Sequence, residues 1–180
     1  MKLVILDRDG VINQESDAYI KTPAEWTPLP HSLSAIKLLT DAKFTLVVAT
    51  NQSGIGRGLY DEAMLQRIHN KMLEEVNRCG GSIDNIFYCP HLPDDNCECR
   101  KPKPGLLHQV ARYYNTSLNG VPFVGDSLRD MQAAIAVGAQ PILVKTGHGQ
   151  QVDSDYIIQH HIREFNDLMA AAKFLVEHYA

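Results

Sequence analysis

No stretch of this sequence is apolar for anything near the roughly 20 residues that a membrane-spanning helix requires, so a membrane protein is not expected. The apolar run at the N-terminus, Leu3 to Leu6, is too short for a secretory signal and has no small-residue cleavage site after it. A cytoplasmic location is the expectation, and with it reduced thiols in place of disulfides. Positive charge is not in excess either. The 17 Lys and Arg against 21 Asp and Glu give a formal net charge of −4, which argues against a protein held to nucleic acid by phosphate contacts. Repeats, low-complexity segments and interdomain linkers are missing. The 180 residues suit one domain spanning 1–180 with a sizeable core, and a monomer is expected. The glycine-rich Gly54-Ile55-Gly56-Arg57-Gly58 is not followed by Gly-Lys-Ser/Thr. It is therefore not a P-loop, and a nucleotide kinase is disfavoured.

What is present is a succession of short apolar runs alternating with amphipathic stretches, the pattern of a parallel α/β sheet. Leu3 to Leu6, Phe44 to Ala49, Ile83 to Tyr88, Val121 to Val124 and Pro141 to Val144 read as strands, with Tyr156 to Ile158 as a short edge strand. Helices are expected over Ser32 to Ala42, from a cap at Asp61 to about Arg78, and over Gly105 to Tyr114 and Leu128 to Val137. A last helix runs from a cap at Asn166 to about His178. Gly80-Gly81 and Gly138 supply two of the helix ends. Two loops stand out, Val11 to Pro30 and Cys89 to Pro104.

Carboxylates follow these strands. Asp7 and Asp9 come directly after the first, in Leu6-Asp7-Arg8-Asp9-Gly10-Val11. Asp126 follows a later one in Gly125-Asp126-Ser127, with Asp130 four residues on, and Thr50-Asn51 follows the second. Ligands of open α/β sheets bind at the carboxyl ends of strands, so the three strands deliver polar groups to one place. A carboxylate can attack phosphorus and form an acyl phosphate that water then hydrolyses, and Asp7 is the candidate. Mg²⁺ prefers hard oxygen ligands, which Asp7, Asp126 and a backbone carbonyl near Asp9 can offer. Asp9 is placed to protonate the leaving oxygen and then to deprotonate water. Lys101 and the Thr50 hydroxyl can stabilise charge on the transferring oxygens.

The cysteines form a second cluster. Cys89-Pro90-His91, five residues, then Cys97-Glu98-Cys99 is a Cys₃His set suited to a closed, structural Zn²⁺ site. Buried thiols or a disulfide are the competing readings, and Cys79 stands apart at a helix end. Arg100 and Lys101 follow the last ligand directly, so a metal clip in this loop would hold two cations in register for phosphate.

These motifs resemble those of the haloacid dehalogenase superfamily of phosphotransferases. The matching pieces are Asp7-Arg8-Asp9-Gly10-Val11, Thr50-Asn51-Gln52, Lys101 in Arg100-Lys101-Pro102, and Gly125-Asp126-Ser127-Leu128-Arg129-Asp130. The resemblance covers residues 1 to about 147. It implies a Rossmann-like parallel sheet of order 3-2-1-4-5 flanked by helices, with Asp7 and Asp126 on adjacent strands. It also implies a phosphatase or phosphomutase, because an Asp stands two residues after the nucleophile. The spacing between motifs leaves no room for an inserted lid domain. With the zinc loop and Ser53 to Gly58 included, the chain is similar to the heptose bisphosphate phosphatases, a branch of that superfamily serving nucleotide-activated heptose synthesis.

That resemblance implies removal of the 7-phosphate from a small-molecule sugar bisphosphate, with Mg²⁺ and Zn²⁺ as metals. Asp7, Asp9 and Asp126 would serve Mg²⁺, and Cys89, His91, Cys97 and Cys99 would serve Zn²⁺. Arg100 would recognise the substrate and Lys101 the phosphoryl group. The Glu15, Ser16, Asp17, Ala18 and Tyr19 loop, Thr50, Asn51, Gln52 and Ser53, together with Arg8 and Ser127, would line the site. Ser127 stands where other members place Lys, which bears on anomer preference. Histidinol-phosphate phosphatases carry a similar zinc loop and polynucleotide 3′-phosphatases share the Thr-Asn-Gln and Gly-Ile-Gly-Arg-Gly pieces, so both remain alternatives. A zinc-stabilised interaction module without turnover is the alternative of another class. His160-His161 reads as a surface doublet and His148 as a turn residue. Trp26 and Tyr19 either wall the entrance or pack.

Overall fold

Alternating side chains along the strands sort the core onto two faces of one sheet. The computed structural model describes residues 1–179. Its six parallel strands are β1 (Lys2–Leu6), β2 (Phe44–Asn51), β3 (Asn85–Cys89), β4 (Pro122–Gly125), β5 (Gln140–Val144) and β6 (Arg163–Phe165), in the order 3-2-1-4-5-6. The helices are α1 (Ser32–Asp41), α2 (Glu62–Arg78), α3 (Gly105–Tyr113), α4 (Leu128–Ala136), α5 (Ser154–Gln159) and α6 (Leu168–Tyr179). In β1, Val4 and Leu6 face a layer of α1, α2 and α6 built on Ile36, Leu39, Ile68, Met72 and Leu175. Leu3 and Ile5 face α3 and α4 through Leu107, Val110, Ala133 and Ala134. Helices thus cover both faces, as the buried character of the strands requires. Among the described residues no helix is long and apolar enough to cross a membrane.

The order agrees with the expected 3-2-1-4-5 and adds one edge strand beside β5. That strand is Arg163–Phe165, and the expected strand over Tyr156 to Ile158 is instead part of α5. The reason is local: the Asp153 side chain accepts from the Asp155 amide at 3.1 Å and starts a helix. Ile157 is then buried while Ile158 is exposed. The cap of α6 is likewise Asp167 and not Asn166, because Asp167 Oδ1 accepts from the Ala170 amide at 2.8 Å. Asp61 caps α2 as expected, accepting from the Met64 amide at 2.8 Å.

β1 and β4 lie side by side, so Asp7 and Asp126 leave the sheet at neighbouring carboxyl ends. The turns around them are tight. Gly10 and Gly147 both have positive φ, and a Cβ on either would sit 2.0 Å from Asp126 Oδ2. Only glycine lets the two turns close on that carboxylate. Two substitutions separate scaffold from site. Leu175→Ala empties a position buried between α6 and α1, and is expected to cost about 2–5 kcal/mol. Asp61→Ala removes a cap and is expected to cost about 1 kcal/mol. Denaturant titration checks both.

Candidate active site

The carboxyl ends of β1, β2 and β4 and the loop after β3 enclose a cleft of about 250 Å³. Asp7, Asp9, Thr50, Asn51, Gln52, Ser53, Arg100, Lys101, Asp126, Ser127 and Asp130 line it, with Glu15, Ser16 and Tyr19 on one wall. Asp7, Asp126 and Asp130 bring one carboxylate oxygen each to within 4.8 Å of one another. Lys101 lies among them, almost fully buried. Its Nζ is 3.0 Å from Asp7 Oδ1 and 2.7 Å from Asp130 Oδ1, and it donates to the Ala49 carbonyl at 2.8 Å. Asn51 fixes the backbone of Lys101 from both sides, its amide donating to the Lys101 carbonyl and its carbonyl accepting from the Lys101 amide, each at 3.0 Å.

The carboxylates differ in their surroundings and so in their acidity. Burial, followed by the Asp130 charge, pushes the Asp7 carboxyl up to about 7, with Lys101 opposing and Asp9 adding. Burial, then Asp130 and Asp7, pushes Asp126 up to about 9, although the His148 amide donates to its Oδ2 at 2.9 Å. For Lys101, burial disfavours the charge, but Asp130 and Asp7 outweigh it and raise the pKa. Asp9 is the opposite case. Burial works against its charge, yet the Arg8 guanidinium and the Asn13 and Gln52 amides hold its pKa below the ordinary value. Asp130 anchors the start of α4, where its Oδ2 accepts from the Asp126 and Ser127 amides and from Ser127 Oγ.

Four expected residues take different places. Arg8 does not line the cleft: its side chain is fully buried beneath it, with Nη2 on Asp9 Oδ1 at 2.8 Å. The Asp9 carboxylate is taken up by Arg8, Asn13 and Gln52, so the third side chain of the acidic cluster is Asp130 and not Asp9. Asp17 and Ala18 lie in the Glu15–Tyr19 loop but outside the lining. The rim also holds Arg57 and Pro93, from the Gln52–Gly58 and cysteine loops expected to give specificity, and Arg129 and His148, which were not expected to line the site. Arg57 was visible in its glycine-rich loop and Arg129 in the fourth motif. His148 Nε2 stands 3.8 Å from Glu15 Oε2, a pairing across the cleft with no local sequence signal. The Arg57 guanidinium lies over the Tyr19 ring at 5.6 Å, so Tyr19 is part of the entrance, whereas Trp26 is buried in the core.

Beside the cleft, the donor atoms of Cys89, His91, Cys97 and Cys99 all lie within 4.8 Å of one another. Sulfur separations are 3.0, 3.6 and 3.7 Å, and His91 Nδ1 is 3.4 Å from Cys89 and 3.3 Å from Cys99. Zn–S bonds of about 2.3 Å give tetrahedral edges of about 3.8 Å, so four donors at these separations suit one tetrahedral ion with no position left for substrate. All four cysteines are unpaired in disulfides, and Cys79 is exposed away from the cluster.

Comparison with known proteins places this architecture. A family model described as HAD-hyrolase-like matches residues 98–170. A D-glycero-beta-D-manno-heptose-1,7-bisphosphate 7-phosphatase of Bordetella bronchiseptica is 53% identical over 98% of this chain and 99% of its own length. The Pseudomonas aeruginosa protein of the same name is 51% identical over 97% of this chain and 98% of its own. A crystal structure of the B. bronchiseptica D,D-heptose 1,7-bisphosphate phosphatase, in complex with magnesium and phosphate, superposes with a TM-score of 0.93. It is 52% identical and covers 98% of this chain and 99% of that one. With end-to-end similarity of this degree, the chain belongs to the heptose-1,7-bisphosphate 7-phosphatase family of haloacid dehalogenase-like hydrolases.

Proposed function

We propose that this protein removes the 7-phosphate of D-glycero-beta-D-manno-heptose 1,7-bisphosphate in a Mg²⁺-dependent reaction through a phosphorylated Asp7. The observation that carries the chemistry is the meeting of Asp7, Asp126 and Asp130 on the buried Lys101 at the floor of an open cleft. Substrate and anomer rest on the relatives, whose names specify the beta anomer at more than half identity. Residues 1–180 would act as one catalytic domain in the cytoplasm, supplying nucleotide-activated heptose synthesis for lipopolysaccharide or another surface polysaccharide.

The donor set fits Mg²⁺, because it consists of hard carboxylate oxygens and because burial and mutual repulsion leave Asp7 and Asp126 short of positive charge. Asp7, Asp126, Asp130 and backbone near Asp9 would hold it. The ion would supply charge neutralisation between an anionic nucleophile and an anionic substrate. The residues do the rest. An Asp7 oxygen attacks phosphorus while the bond to the sugar oxygen breaks, and Asp9 gives that oxygen a proton. Lys101 and Thr50 hold the equatorial phosphoryl oxygens. Water then attacks the acyl phosphate, Asp9 takes its proton, and phosphate leaves with Asp7 regenerated.

The open cleft leaves recognition of the rest of the sugar to its rim. Arg100 is half-buried there, and its Nη1 donates at 3.4 Å to the His91 carbonyl inside the cysteine cluster. Its guanidinium fork suits a phosphate oxygen pair. Phosphate release from both heptose bisphosphate anomers, histidinol phosphate and 3′-phosphorylated DNA tests the assignment, with the beta bisphosphate expected to lead. A lead by histidinol phosphate would transfer the protein to that activity. Arg100→Ala is expected to lower kcat/KM on the bisphosphate by about 10- to 100-fold while sparing an aryl phosphate. Equal loss on both would make Arg100 part of the general phosphoryl site.

The cysteine cluster predicts one zinc per chain by elemental analysis of protein purified without chelator. Cys97→Ser is expected to lose the metal and to raise KM for the bisphosphate, because the loop that carries Arg100 and Lys101 loses its clip. Full activity in zinc-free protein would remove the link between clip and substrate.

A further inference from the structure

Arg8 is a fully buried guanidinium, and one of its edges points away from the cleft. Nε and Nη2 address Asp9, while Nη1 lies 3.2 Å from Nε2 of His69, a residue of α2 that is itself buried. A guanidinium has donors only, so at this distance His69 Nε2 must be the acceptor. The imidazole is then neutral and carries its proton on Nδ1. Its surroundings agree: burial, followed by the Arg8 charge, pushes the His69 pKa down to about 3. The nearest aromatic neighbour is Tyr88, with ring centroids 6.2 Å apart in an edge-on contact.

The two oxygens of Asp9 are treated unequally. Oδ1 accepts from Arg8 Nε at 3.1 Å, Arg8 Nη2 at 2.8 Å and Asn13 Nδ2 at 2.8 Å. Oδ2 accepts from Arg8 Nη2 at 3.1 Å and from Gln52 Nε2 at 3.0 Å. Gln52 is oriented by the Tyr60 hydroxyl, which donates to its Oε1 at 2.7 Å, and it shares its amide with Thr50 Oγ1 at 2.9 Å. Gln52 and Thr50 both line the cleft, so Oδ2 is the oxygen on the substrate side.

We infer that His69 is a positioning residue for proton transfer: as a neutral acceptor it locks the Arg8 fork, which holds the Asp9 carboxylate with Oδ2 on the substrate side. In the first half-reaction the Oδ2 proton passes to the sugar oxygen as its bond to phosphorus breaks. In the second, Oδ2 takes a proton from the water that attacks the phosphoryl group on Asp7. No proton passes through His69. Without its acceptor, Arg8 Nη1 is a buried unpaired donor that draws the fork away from Asp9. The inference rests on the reading of Asp9 as acid and base given above.

The test uses the Mg²⁺-loaded enzyme and a series of phosphate esters whose leaving groups run from alkyl alcohol to dinitrophenol, with kcat/KM as the readout. A good leaving group departs without a proton, so damage to proton transfer appears at the alkyl end of the series. His69→Leu is expected to lose about 10- to 100-fold on alkyl esters and less than about threefold on the dinitrophenyl ester. His69→Gln keeps an acceptor and is expected to restore most of the alkyl activity. A uniform loss across the series, or none, would overturn the inference. Asp9→Asn is run alongside: a flat series there would sink the reading of Asp9 itself, whereas a steep one with a flat His69→Leu series would sink only the role of His69. Should His69→Leu fail to fold, ¹⁵N NMR of the wild-type protein decides. A neutral ring protonated at Nδ1 is expected, and an Nε2-protonated or cationic ring would contradict the account.

Discussion

Three carboxylates crowd the end of β1 and β4, and the ammonium of Lys101 is the interaction that makes the crowding tenable. Removing one partner from a buried charge cluster of this kind costs on the order of 3–5 kcal/mol. Lys101 meets Asp7, Asp130 and the Ala49 carbonyl at once, so it joins β1, β2 and the start of α4 at a single atom. The arrangement is still short of positive charge, as the raised pKa values of Asp7 and Asp126 show. That deficit is what a divalent cation in the same cleft would meet, and it explains why the floor is rich in oxygen ligands and poor in further cations.

The surrounding structure holds that one lysine in place. Its backbone is clamped by Asn51 at the end of β2, and its chain neighbours run into the Cys₃His cluster. The loop between β3 and α3 has little apolar content of its own, and a metal held by these four donors would take the part a core would play. On the far side, Asp9 belongs to a separate network with Arg8, Asn13 and Gln52. The two acidic side chains two residues apart are therefore put to opposite electrostatic use. Burial raises the pKa of Asp7 beside a cation it shares, whereas a cation of its own lowers that of Asp9.

Much of this was legible in the sequence, and the reasons are physical. Polar residues directly after apolar runs mark strand carboxyl ends, so Asp7, Thr50 and Asp126 identified themselves, as did four thiol and imidazole ligands packed into one short loop. Arg8 was legible only as part of a motif, because nothing local tells a guanidinium aimed at ligand from one buried behind it. His69 carried no signal at all: on α2 it has the spacing of an ordinary inward residue, and its partner lies 61 positions away. The segment Tyr156 to Ile158 failed for the opposite reason. Three apolar or aromatic residues suit a strand as well as a helix turn, and the Asp153 cap that decided the matter is a weaker signal than the run itself.

The central claim is that phosphorus is bonded to Asp7 in mid-reaction. Rapid acid quench of the Mg²⁺-loaded enzyme with substrate, followed by peptide mapping by mass spectrometry, tests this most directly. The account predicts a phosphoryl group on Asp7 that forms within one turnover, approaches one per chain and decays as phosphate is released. Phosphate release with no labelled peptide, or a label on any residue other than Asp7, would contradict it.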